Sequence, residues 1–288
     1  MNNLDLRPLS IGEILDRTFT IYRNYFVLFI GISAIPHILV LALNLAQTFT
    51  LKPVVFPTLG AGRTPQTPFP LAGMSTTYSG FAFLGIVGGT IALLLTEGAT
   101  VIAVSELYLG RSITIVESFR RVRGELATLF GILVLKYLAI VAGLIMLIVP
   151  GVYVMCRFFV GVPSALVEHL NARLALERSW NLTRDNAGRA FLVILLYFAL
   201  SMAASALFAV PFEIGIFVEK SNPAMVLVFV GLLQVGGAIA GILVIPVVTI
   251  AGAILYYDLR VRKEAFDLQV MMAPLVGPVA CGVPKAIT

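Results

Sequence analysis

Six apolar runs decide what this chain can fold into, because a helix needs about 20 apolar residues to cross a hydrocarbon layer some 30 Å thick. The runs are Phe26–Leu45, Phe81–Val104, Leu126–Val149, Gly151–Val167, Ala190–Phe212 and Ala224–Tyr257, each bounded by Pro, Gly or charge. Backbone N–H and C=O groups meet no water in such a layer, so each run must satisfy them internally as a helix. The fold class expected is all-α, a six-span transmembrane helical bundle. Composition agrees: 59% of residues are apolar and 12% charged, against roughly 45–50% and 25% in soluble domains. The last run holds 34 residues without a charge, more than a straight crossing takes, so a kink at Pro246 or a tilt is expected.

Cationic residues orient the bundle, since short loops rich in Lys and Arg stay on the cytoplasmic side. Fifteen of the 20 fall before the first run, in the second-to-third and fourth-to-fifth connections, or after the last run. Three, Lys52, Arg63 and Lys220, fall in the other connections. This predicts a multi-pass protein of the cell (inner) membrane with both termini cytoplasmic, and it accounts for the net charge of +5 without nucleic acid. Acids and arginines are interspersed through the first 24 residues, so the first span is not expected to be a cleaved signal peptide. Cys156 and Cys281 form no disulfide framework.

One phrase recurs. "DRTFTIYRN" begins at Asp16, "ERSWNLTRD" at Glu177 and, more loosely, "ESFRRVRGE" at Glu117. Aligning Phe19, Phe119 and Trp180 brings Thr18, Ser118 and Ser179 into register, and Arg23, Arg123 and Arg184 with them. Each copy stands just before an odd-numbered span, and the first two follow capping-box patterns, Ser10 with Glu13 and Thr114 with Glu117. Around the first copy, Ile11, Ile14, Leu15, Thr18, Phe19, Tyr22 and Phe26 share one helical face. The chain therefore reads as three repeats, each an amphipathic cytoplasmic helix followed by a transmembrane hairpin. The aromatic residue suits the headgroup boundary and the Arg four residues on suits lipid phosphate, which makes Phe19, Arg23, Phe119, Arg123, Trp180 and Arg184 candidate interfacial anchors. Residues 1–264 form a single integral membrane domain, with repeats at about 10–109, 110–170 and 171–264. The Pro- and Gly-rich stretch between the first two spans reads as a flexible outer loop, and 265–288 as a flexible cytoplasmic tail.

Ionisable side chains inside spans are costly and mark candidate sites. At 1.5 Å per residue, Glu97 lies about 12 Å and Lys136 about 14 Å from the cytoplasmic face, close enough in depth to pair. The same count puts Arg157 in the outer half of span four, near outer headgroups. It places His37 near mid-membrane, where a neutral, hydrogen-bonded packing role is expected. Small residues at four-residue spacing, Gly85 with Gly89, Gly161 with Ala165 and Gly237 with Gly241, mark expected close helix contacts. No HExxH, phosphate-binding loop, GxSxG or CxxC occurs. No catalytic residue, metal site or cofactor is expected.

"LRPLSIGEILDRTFTIYRNYF", "LERSWNLTRDNAGRAF" and "YYDLRVRKEAFDL" resemble the membrane domain associated with glycerophosphoryl diester phosphodiesterases, which related integral membrane proteins of bacteria and archaea carry alone. The likeness covers roughly residues 5–270. In the name-giving members a soluble barrel performs the hydrolysis, but only about thirty residues follow the last span here, so the resemblance implies no such activity. It implies a multi-span bundle near polar lipids. The function expected is a non-enzymatic role in membrane organisation or lipid-associated scaffolding, with membrane lipids as partners and a membrane protein or a second copy of the chain as further candidates. The alternative is a small-solute or lipid transporter whose midplane site is built from Glu97, Lys136, Arg157 and His37.

Overall fold

The computed structural model describes residues 9–50, 76–219 and 221–264. Among them there is no strand, and six segments are long and apolar enough to cross a membrane: Phe26–Thr50, Phe83–Tyr108, Ile115–Met146, Ile148–Glu168, Ala187–Phe208 and Ala224–Glu264. The protein is a multi-pass helical membrane protein. Residues 51–75, in the connection between the first two spans, and the whole 265–288 segment lie outside the described residues, so the expected outer loop and tail, with Arg63 and Cys281, lie there too.

In chain order the helices are α1 (Ile11–Asn24), α2 (Phe26–Thr50), α3 (Thr76–Tyr108), α4 (Ile115–Val122), α5 (Leu126–Met146), α6 (Ile148–Arg157), α7 (Gly161–Glu168), α8 (Ala172–Leu182), α9 (Ala187–Phe208), α10 (Val210–Val218) and α11 (Pro223–Glu264). Short helices α1, α4 and α8 thus precede the first, third and fifth spans. Ser10 starts α1 with a complete capping box: its hydroxyl accepts the Glu13 N–H at 3.3 Å, and the Glu13 carboxylate accepts the Ser10 N–H at 2.6 Å. Such a cap contributes about 1 kcal/mol. At α4 only half the box forms. Thr114 accepts the Glu117 N–H at 3.3 Å, but the Glu117 carboxylate turns to Arg121, 2.7 Å away, because a charged partner one turn on outcompetes the neutral amide.

Helix α11 holds the bundle together. Its 42 residues span about 63 Å, twice the apolar layer, and it packs against α1, α2, α3, α9 and α10. Pro246 lies within it and the helix continues on both sides. Its final turns stand among the short helices, and every residue from Ile250 to Leu259 is buried. One face of α1, carrying Ile14, Thr18 and Ile21, is buried, and the Tyr22 hydroxyl donates to the Leu243 carbonyl of α11 at 3.2 Å.

The fourth span departs from a single helix. It breaks at Phe158–Val160 between α6 and α7, where the Gly161 N–H turns to the Phe158 carbonyl at 3.2 Å in a tight turn. That leaves the Arg157 carbonyl without its helical partner. Two hydroxyls of the α8 region replace it: Ser179 donates at 2.8 Å and Thr183 at 3.1 Å. An apolar run cannot reveal this break, since the compensation lies more than twenty residues on.

Close helix contacts fall partly elsewhere than the small-residue spacing indicates. A Cβ on Gly89 or Gly237 would meet nothing within 4 Å. The tight contacts against backbone are Gly143 against Gly151, where an added Cβ would lie 2.9 Å from the facing Cα, and Gly236, where it would overlap the Phe208 carbonyl oxygen, and Gly31, Gly98, Gly131 and Gly215 are crowded by side chains. Gly236→Leu is therefore expected to lower stability by about 1–3 kcal/mol through overpacking, and Gly237→Leu to be tolerated. Thermal unfolding of both variants in detergent checks this; equal melting temperatures would place the α9–α11 contact elsewhere.

Candidate functional site

Polar chemistry concentrates at the basic end of the bundle, where the last turns of α11 pack against α1 and α8 and where α4 packs on the end of α3. Asp258 is its centre, with a side chain that has no solvent exposure. One carboxylate oxygen accepts the Leu9 N–H at 2.7 Å; the other accepts Arg189 Nη1 at 2.8 Å and Arg262 Nε at 2.9 Å. Both guanidinium groups also donate to the Leu9 carbonyl, at 2.9 and 2.6 Å. A buried carboxylate demands such pairing. The residue that leads into α1, the first turn of α9 and the end of α11 are thereby fastened at one point.

A second network surrounds Glu168 at the end of α7. It accepts Arg178 Nε at 3.0 and 2.9 Å and the Tyr256 hydroxyl at 2.7 Å. Arg178 also reaches Glu264 at 2.5 Å. On the α3–α4 side, Arg121 bridges Glu106 and Glu117, both at 2.7 Å. Lys263 pairs with Asp185 at 3.0 Å, and its hydrogen bond holds the Asp185 carboxyl below the ordinary carboxylate range. That contact persists at neutral pH and is lost as pH falls through the lowered value. Asp258, Glu168, Arg189 and Glu264 were not singled out by sequence reasoning. Asp258 had a signal, an acid inside the basic phrase "YYDLRVRKE", but nothing local gives its partners, which are 69 and 249 residues away.

The residues of the repeated phrase sort consistently. Thr18, Ser118 and Ser179 are fully buried. Phe19 and Trp180 are 44% and 36% exposed, and Phe119 is partly buried against the core. Arg23, Arg123 and Arg184 are exposed, and among the described residues none lies within ion-pair distance of a carboxylate, unlike the neighbouring Arg121, Arg178, Arg189 and Lys263.

The four intramembrane polar residues do not converge. Glu97 and Lys136 line one cavity of about 60 Å³ with Thr249 and Gly252, large enough to admit water. They form no direct ion pair. Arg157 is corrected in depth: instead of standing in the outer half of span four, it is 1% exposed at the basic end, its guanidinium 4.3 Å from the Trp180 ring centroid and 5.6 Å from that of Tyr153. The break in span four redirects the chain there, which a count along a straight helix misses. Its Nε and Nη1 have no hydrogen-bond partner, so the cation rests on aromatic faces. His37 packs beside Gly241 of α11, its Nδ1 2.8 Å from the Ser33 carbonyl, a hydrogen bond when that nitrogen carries the proton. Among the described residues no three His, Cys, Asp or Glu side chains gather as a metal site.

The chain matches no protein-family model, no curated protein and no solved structure.

Truncating the buried anion leaves two cations and the Leu9 N–H uncompensated, so Asp258→Ala is expected to cost about 3–5 kcal/mol, whereas Asp185→Asn, at an exposed pair, leaves the melting temperature unchanged. For the cavity, Glu97→Gln and Lys136→Met should each destabilise and the double variant recover part of the loss, because two charges facing one low-dielectric space sense each other. A double-mutant cycle in detergent reads this; strictly additive losses would mean that solvent screens them fully.

Proposed function

We propose that this is a non-enzymatic membrane protein whose three short helices lie in the membrane plane and bind anionic lipid headgroups, organising lipid or a lipid-associated process. The carrying observation is the sorting of charge at the basic end. Cations that staple the fold have carboxylate partners, while Arg23, Arg123 and Arg184, the three that the repeated phrase aligns, are exposed without one among the described residues, as are Arg120 and Arg173 beside them. Each cation near an anionic surface contributes about 1 kcal/mol of attraction. The basic end faces the cytoplasm in this reading, by the distribution of Lys and Arg, and the three repeats supply one anchor per hairpin. The resemblance to the phosphodiesterase-associated membrane domain supports a setting near polar lipids.

A transporter is the weaker reading. It needs Glu97, Lys136, Arg157 and His37 around one solvent-accessible space, and they occupy three separate places.

The test is reconstitution into nanodiscs with graded phosphatidylglycerol content. Melting temperature is expected to rise with the anionic fraction, and the rise to vanish in the Arg23→Gln, Arg123→Gln, Arg184→Gln triple variant and at high salt. Solute uptake into proteoliposomes that Glu97→Gln abolishes would replace this reading with transport. For orientation, with Cys156 and Cys281 replaced, a cysteine introduced at Ser221 should label from outside intact cells and one at Arg120 only from within; the opposite pattern inverts the topology.

A further inference from the structure

Between α2 and α3 runs an apolar groove of about 490 Å³, within the range of roughly 300–1,000 Å³ typical of small-molecule sites. Its walls include Leu39 and Leu43 of α2 with Gly88 and Leu95 of α3, and Phe119 and Arg123 border it at the basic end. Gly88 leaves its share of the wall without a side chain. At the mouth, α4 crosses close over α2, with Ile115 seated on Gly31. Arg123 is the groove's only charged lining residue, is exposed, and among the described residues has no carboxylate within ion-pair distance.

We propose that this groove holds one acyl chain of an anionic phospholipid and that Arg123 pairs with the phosphate of its headgroup. The proposal rests on the headgroup-binding reading above and assigns that chemistry to one arginine and one lipid. The occupant follows from two matched features. From Ile35 to Leu43 the α2 wall extends for about 12 Å directed away from the basic end, so a ligand lying in it must be long, flexible and apolar. At its mouth stands a single cation at the level of the in-plane helices, so the same ligand must end in an anion. A membrane phospholipid has both parts in this order, and it reaches the groove laterally without crossing water. Phe119 covers the junction between the two parts, where the glycerol esters would lie. A free phosphate fits only the mouth and leaves the apolar walls against other lipid, so little affinity follows from Arg123 alone.

Arg23 and Arg184 line no part of this groove. They act on the headgroup layer generally, and Arg123 on one retained molecule.

Native mass spectrometry of the full chain in detergent, titrated with dioleoylphosphatidylglycerol, dioleoylphosphatidylcholine or glycerol phosphate, tests this. One saturable phosphatidylglycerol adduct is expected, weaker with phosphatidylcholine and absent with glycerol phosphate. Arg123→Gln should weaken it about tenfold, the scale of one charge-assisted hydrogen-bonded contact. Gly88→Phe and, separately, Leu39→Trp should remove it by filling the groove. Arg23→Gln and Arg184→Gln should leave it unchanged. Leu39 is 74% exposed, so that variant keeps the test open if Gly88→Phe does not fold, as judged by monodisperse elution and melting temperature. An adduct that survives in folded groove-filled variants overturns the groove site, even where headgroup preference remains. Loss of any difference between the two lipids in the unaltered chain overturns the headgroup reading instead, and with it the role of Arg123.

Discussion

The architecture turns on one unexposed carboxylate. Asp258 is held at zero exposure by two guanidinium groups and a backbone N–H drawn from three distant parts of the chain. Burying a carboxylate without such compensation costs several kcal/mol, so the arrangement is self-enforcing: the end of α11 settles in its buried position only when Arg189 and the Leu9 peptide are there to meet it. Around it the part-buried Glu168 network ties α7 and α8 to α11, and the more exposed Arg121–Glu106 pair joins α4 to α3. The apolar layer gives these helices little reason to choose one neighbour over another, since lipid tails are as apolar as leucine. Polar closure at one end supplies the choice.

Much of this was legible in the sequence because the lipid layer turns length and composition into geometry. Six membrane-length apolar segments and the Ser10–Glu13 cap depend on neighbouring residues, and both are present, although the fourth run is broken at Phe158–Val160 and the fifth at Ala209. The break at Phe158–Val160 was illegible for the opposite reason: its stability comes from Ser179 and Thr183, which supply the missing partner of the Arg157 carbonyl. Arg157 was misplaced by the same omission, since its depth was counted along a helix that does not continue. Gly236 escaped notice because a contact with the Phe208 carbonyl is a property of two surfaces, while spacing is a property of one.

The recurring phrase was readable as a pattern but not as a division of labour. In all three copies the small hydroxyl is buried and the arginine is exposed. The hydroxyls nevertheless serve different acceptors: Thr18 and Ser118 donate to carbonyls of their own helices, whereas Ser179 mends the broken span. Trp180 likewise combines an exposed edge with a cover for the Arg157 cation. A shared sequence position therefore fixes which way a side chain faces and leaves its partner to the surrounding helices.

The contact between Leu9 and Asp258 spans 249 positions of sequence. At synthesis rates of 5–20 residues per second, the N-terminal segment exists for roughly 10–50 s before its acceptor is made. Throughout that interval α1 lacks its contacts with the last helix, and the inserted spans remain unfastened at their basic end. Emergence of the last helix is thus the event that converts a set of inserted spans into one body. A ribosome stalled before Asp258 would leave all but the final span in the bilayer, with the Leu9 peptide and Arg189 still lacking the carboxylate that joins them.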